Sequence, residues 1–246
     1  MVQILFPFLM SLFINGHYQD LTRCAIQYQV NVSHKGTVLA PVIALHGDEK
    51  TAIEAFSSLT DAAPFILYQI RQSENRLMKS GCESKEYFFD PNRIFTKYGI
   101  IKTLEKLNNT YPKALEIRLQ QMASKIVKKM MQQNPSGYFI ALHNNRESGL
   151  SVITYKNSVD AAAVHIAPGQ DPDNFFIVTR KKDFLFFKEE NENVVLKSTT
   201  PTDDGSLSVY CVANNIPYIN IEAQHGHTEK QTAMLLLCEK LLKKRN

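Results

Sequence analysis

The stretch "APVIALHGDEKTAIEAF", residues 40–56, decides how the chain folds. It opens with an unbroken apolar run, the pattern of a strand buried on both faces of a parallel sheet. The run stops at His46, Asp48 and Glu49, and "EKTAIEAFSSL" (49–59) then reads as a short helix. A second stretch, "GYFIALHNN" at 137–145, repeats the Ile-Ala-Leu-His ending. Two such endings predict strands that deliver imidazoles to one edge of a sheet.

Working outward, "APFILYQI" (63–70) reads as another buried strand. From Pro112 to Gln133, Leu115, Leu119, Met122, Ile126 and Met130 recur at helical spacing, and "NPSG" ends that helix. Further strands are predicted at "LSVITY" (150–155), "NFFIVT" (174–179), "DFLFFK" (183–188), "NVVLKS" (193–198), "LSVYCVA" (207–213) and "PYINIEA" (217–223). A helix over Lys230–Lys244, apolar at Ala233, Met234, Leu237 and Leu241, closes the chain. The fold class is α/β, a mixed, largely parallel central sheet with helices on both faces. Sites in such sheets form beyond the carboxyl ends of the strands, where His46, His143 and Glu222 fall.

The 246 residues suffice for a large core, and 44% hydrophobic with 21% charged residues is ordinary globular composition. A net charge of +4, scattered apart from "TRKKDF" and the "KKRN" tail, argues against nucleic-acid binding. No linker or repeat divides the chain. The apolar run Ile4–Ile14 is too short to span a bilayer but suits a signal peptide. The expected organisation is a leader over 1–16 and one domain over 17–246, periplasmic or secreted if the leader is real and otherwise cytoplasmic, without stable membrane insertion. The four cysteines show no Cys-x-x-Cys spacing. Cys238 reads as a buried helix thiol, and Cys24 and Cys82 are a candidate pair in an exported protein.

His46 and Glu49 form an H-x-x-E pair at a strand-to-loop turn, and His143 offers a third ligand. Two histidines and a carboxylate are a common catalytic zinc set with one position open. Glu222, outside that set, is the candidate proton carrier. In "FFDPNRIF" (88–95), Asn92 and Arg93 present the chemistry that grips a carboxylate, unless Asp90 and Arg93 pair to stabilise the turn. Asn144, beside His143, is a further candidate substrate contact. In "EAQHGHTEKQ" (222–231), His225 and His227 are pocket residues or a rival ligand pair. "TPTDDGSLSVY" (200–210) reads as a turn entering a strand; His165 reads as a core or loop residue, and His17 and His34 carry no motif.

The ordered set "HGDE" (46–49), "DPNRIF" (90–95), "LHNN" (142–145) and "NIEA" (220–223) resembles the zinc carboxypeptidase superfamily. It is most similar to the branch containing aspartoacylase and succinylglutamate desuccinylase. The resemblance implies zinc on His46, Glu49 and His143, a substrate carboxylate on Asn92 and Arg93, and Glu222 promoting attack by water. Relatives use another arginine to steady the oxyanion. Lys85 stands at the aspartoacylase-like spacing and Arg76 at the carboxypeptidase-like one. A late tyrosine has no clear match, Tyr210 and Tyr218 being nearby candidates. The implied activity is hydrolysis of an amide bond next to a free carboxylate, in a small peptide or an N-acyl amino acid. The alternative is a non-catalytic carboxylate- or peptide-binding module on the same scaffold.

Overall fold

Eight strands form the main sheet of the computed structural model, which describes residues 24–147 and 149–245. The expected leader and His17 lie outside the described residues. Four central strands run parallel: β4 (Phe65–Arg71), β3 (Ala40–Ala44), β7 (Phe139–Asn145) and β11 (Tyr218–Gln224). β2 (Gln29–His34) joins antiparallel outside β4. On the far side β9 (Phe175–Val178) runs antiparallel to β11, β10 (Val194–Lys197) parallel to β9, and β8 (Ala161–His165) antiparallel to β10. Every residue of β3 and β7 is buried, as their continuous apolar sequence requires.

Helices cover both faces. α1 (Lys50–Ser57), α4 (Lys181–Glu189) and α6 (Thr228–Lys243) lie over a core that includes Val42, Phe56, Ile140, Phe187 and Met234. α2 (Lys97–Leu107), α3 (Lys113–Gln132) and α5 (Leu207–Ala213) cover the other face around Ile43, Ile100, Leu119, Phe139 and Leu207. No helix among the described residues is long and apolar enough to cross a membrane. A small antiparallel sheet stands apart, ordered β1 (Cys24–Ala25), β5 (Met78–Cys82), β6 (Lys85–Phe89). Cys24 and Cys82 face each other across it and form a disulfide, while Cys211 and Cys238 are buried thiols.

Three expected strands are corrected. "DFLFFK" lies in α4, where Phe187 stacks on Phe176 of β9 with ring centroids 3.9 Å apart. "LSVYCVA" is α5, whose entry is fixed by the Ser206 hydroxyl accepting from the Val209 amide. "LSVITY" closes into a 3-10 turn over Val152–Tyr155. Each is a short apolar run, for which periodicity alone does not separate helix from strand.

Candidate metal centre and cleft

The parallel strands β3, β7 and β11 end side by side, and their register sets the site. His143 of β7 and Glu222 of β11 are paired residues on adjacent strands, so both side chains leave the same face of the sheet. His46 follows β3 directly. Gly47 then lets the chain pass beneath the 73–75 loop: a Cβ there would lie 1.9 Å from the Ser73 carbonyl oxygen, and its amide donates to the Asn75 carbonyl. Glu49 is the N-cap of α1, but its side chain makes no capping bond. It turns instead to the two imidazoles.

Glu49 Oε1 lies 2.6 Å from both His46 Nδ1 and His143 Nδ1. His46, Glu49 and His143 are 1%, 2% and 5% exposed. Their donor atoms all lie within 4.8 Å of one another, the one such group among the described residues. The rival pair is not gathered: His227 caps α6 near Asn174 and Asp171, while His225 stands at the cleft wall. His34 is exposed on β2, and His165 ends β8.

Asp90, which follows β6, approaches the other nitrogen of His46, Nε2, at 2.9 Å. Burial disfavours the charged imidazole of His46, but Glu49 and Asp90 outweigh it and raise its pKa to about 9. Burial likewise opposes ionisation of Glu49, and His143 and His46 outweigh it, holding the carboxyl at about 2. Asp90 is also held below its usual range: His46, Arg76 and Arg93 overcome its burial.

These residues fit a metal ion. Once His46 is neutral, an Nε2–H donated to Asp90 leaves the Nδ1 lone pair facing Glu49, where a cation takes the place of the proton. Glu49 Oε2 is buried with no hydrogen-bond partner, a donor atom left over for such a cation. Two imidazoles and one carboxylate are a set that zinc takes with a position to spare.

A cleft of about 350 Å³ opens beside the triad. Arg76, Asn92, Arg93, His143 and Glu222 line it. Glu222 is 6% exposed, its Oε1 accepting from Asn220 at 2.9 Å. Burial raises its pKa, against the pull of His143 and of the Asn220 hydrogen bond. Arg93 does not take up the alternative pairing with Asp90. It pairs with Asp204 at 3.2 Å, and its Nη1 also donates to the Asn92 carbonyl. The Asn92 amide is held through its oxygen by the Leu207 N–H, which leaves Nδ2 3.4 Å from His143 Nε2. The Asp204 turn reaches Arg93 because Gly99 and Gly205 touch backbone to backbone, a contact that excludes any Cβ.

One expectation fails on position, and a second on what its side chain touches. Lys85 opens β6, exposed beside the left-handed hairpin turn of Glu83 and Ser84, and does not line the cleft; Arg76 does. Asn144 also lines the cleft, but its oxygen accepts from the Ala52 amide and its nitrogen donates to Gln231 and the His143 carbonyl. Its hydrogen-bonding groups are engaged by the protein, so Asn144 positions α1 and α6 rather than a ligand. Tyr218 is buried and Tyr210 packs on Phe95, away from the cleft. The tyrosine that lines it is Tyr155, unmarked in the sequence by any motif. Asp90 had been assigned only to its turn, and nothing short of three dimensions links it to His46, 44 residues away.

No family model matches the sequence, and no match to a curated protein is found. Among solved structures, murein-tripeptide amidase MpaA from Escherichia coli O157 is similar at a TM-score of 0.44 and 12% identity, over 86% of this chain and 91% of that one. N-formylglutamate amidohydrolase from Ralstonia eutropha JMP134 gives 0.43 and 10%, over 87% and 97%. Apo cell shape determinant protein Csd4 from Helicobacter pylori gives 0.44 and 14%, over 87% of this chain and only 54% of that one. Likenesses at this level assign no residue and no substrate. What they share with this chain is the fold, a mixed sheet flanked by helices.

Proposed function

We propose that this chain is a zinc-dependent hydrolase that cleaves an amide bond next to a free carboxylate, in a small peptide or an N-acyl amino acid. The observation that carries the reading is the convergence of His46, Glu49 and His143 beside a cleft that also holds Glu222 and Arg93. His46, His143 and Glu49 would hold the metal, with Asp90 fixing the His46 ring. Zinc bound there supplies Lewis-acid polarisation of a carbonyl and acidification of water.

The rest is done by side chains. Glu222 accepts the proton of the attacking water and returns it to the leaving nitrogen, and a carboxyl whose pKa is raised by burial is suited to both halves of that exchange. Arg93, its Nη1 oriented by Asp204 and the Asn92 carbonyl, takes the substrate carboxylate together with Asn92. Arg76, held near Asp90 at 3.7 Å, is the cation for the developing oxyanion. The Cys24–Cys82 disulfide supports export to an oxidising compartment.

The test is the zinc-loaded protein assayed on N-acyl amino acids and short peptides, beside Glu222→Gln. The variant is expected to keep its zinc and lose about 10²–10⁴-fold in kcat. Full turnover in the variant removes Glu222 from the mechanism. A wild-type chain that holds zinc and binds these ligands without cleaving them is a carboxylate-binding module.

A further inference from the structure

The alternation of β11 divides its residues between two environments. Ile219 and Ile221 enter the core under α1, α4 and α6, while Tyr218 belongs to the core on the other face. Asn220 and Glu222 follow Tyr218 at two-residue steps, and both line the cleft. Asparagine is a poor strand former, yet here it sits inside a central strand and is 6% exposed. Its register neighbours, Ala141 of β7 and Ile177 of β9, are apolar and offer its amide no side-chain partner.

Among the described residues Asn220 makes one side-chain hydrogen bond, from Nδ2 to Glu222 Oε1 at 2.9 Å. An ionised carboxylate only accepts, so this contact fixes which way round the amide sits. The other end of the amide is left without a bond: Oδ1 is buried and has no partner. A buried acceptor without a donor destabilises the fold, and a leucine would fill a similar volume without that loss. The amide is therefore held in the one orientation that serves Glu222. Glu222 in turn is tethered at a single oxygen. Its Oε2 makes no hydrogen bond among the described residues and is not enclosed, which leaves it open to the cleft.

We propose that Asn220 is a positioning residue for proton transfer, whose Nδ2–H holds Glu222 Oε1 and thereby presents Oε2 as the working oxygen. The inference rests on the hydrolase reading for the role of Glu222. A proton leaves the attacking water for Oε2 as the water oxygen bonds to the carbonyl carbon. It passes from Oε2 to the nitrogen as the carbon–nitrogen bond breaks. Asn220 donates to Oε1 throughout and is unchanged at the end. The terminal torsion of a glutamate is broad, so without this tether the carboxyl turns freely and the two oxygens exchange places.

Two variants and one spectrum test it. Asn220→Leu removes the donor together with the unpartnered oxygen, and Asn220→Asp keeps the outline but replaces the donor by an acceptor. In the zinc-loaded protein each should lose on the order of 10²-fold in kcat while KM stays within about twofold and zinc per folded chain is unchanged. A role in packing alone would leave Asn220→Asp active. The spectrum needs neither metal nor turnover: in the isotope-labelled, metal-free chain one side-chain amide proton of Asn220 should exchange slowly with solvent, and Glu222→Ala should abolish that protection. Variants that turn over like wild type, a loss carried by KM with kcat intact, or amide protons indifferent to Glu222→Ala each overturn the assignment. If neither Asn220 variant folds, as judged by thermal melting, the amide exchange decides alone. A wild-type chain that cleaves while the Asn220 variants remain fully active removes only this assignment. A wild-type chain that cleaves nothing removes the hydrolase reading and the assignment with it.

Discussion

The two halves of the main sheet do different work. The parallel half, β4-β3-β7-β11, is made of long strands with a buried core on both faces, and its carboxyl end delivers His46, His143 and Glu222. The other half, β9-β10-β8, is shorter and turns antiparallel at the β11–β9 boundary, ending in an only partly buried edge. It supplies no metal ligand, but its inner face forms the floor of the cleft through Ile177 and Lys197. The candidate metal ligands therefore gather at the carboxyl end of the parallel half, and the other half contributes only to the lining of the cleft.

That division can be broken in several ways. The largest effect is expected from Glu49→Ala, which removes the carboxylate on which both imidazoles converge. Activity should fall by more than the ~10–100-fold typical of losing a metal's outer support, read as kcat/KM with zinc content measured in parallel. Phe187→Ala strikes the other half instead, deleting a fully buried ring stacked on Phe176. It should cost about 3–5 kcal/mol of stability by denaturant unfolding while zinc per folded chain stays unchanged. A loss of zinc by the folded variant would show that the halves are not separable.

Asp90→Asn sharpens the account of the triad. It keeps the shape but weakens the acceptor behind His46, and zinc affinity should drop about 10–100-fold in a competition titration. The smallest effect is a proton count. In the metal-free site the His46 pKa is raised to about 9, so the ring is charged at pH 7–8 and must lose its proton to bind metal. Glu49, held at about 2, is already ionised and contributes none. Zinc binding should thus release about one proton from His46, and affinity should climb as pH rises toward 9 and then level off. Calorimetry in buffers of differing ionisation enthalpy reads that number.

The parallel half was legible in the sequence because strands buried on both faces must be continuously apolar, and "PVIAL" and "FIAL" end in polar residues only where a site exists. The triad followed from those endings. In the other half "NFFIVT" and "NVVLKS" were legible as β9 and β10, while the edge strand β8 and several elements outside that half were not. In "LSVYCVA", Leu207, Val209 and Cys211 alternate as a strand would, yet the Ser206 cap and the packing on β11 make it a helix. β2 is too polar and exposed to show a strand pattern, and the β5–β6 hairpin turns at Glu83 and Ser84, both left-handed without a glycine. Lys85 was misplaced as a consequence, since spacing counted along the chain cannot see that hairpin. Asp90 became visible only when the end of β6 was set beside His46.

One measurement tests the central claim most directly: zinc titrated into the metal-free wild-type chain and into His143→Ala, with the ligands read by X-ray absorption at the metal. The account predicts one zinc per wild-type chain with imidazole nitrogen and carboxylate oxygen neighbours, and no comparable site in the variant. Absence of stoichiometric zinc in the wild-type chain, or an unchanged site in His143→Ala, would contradict it.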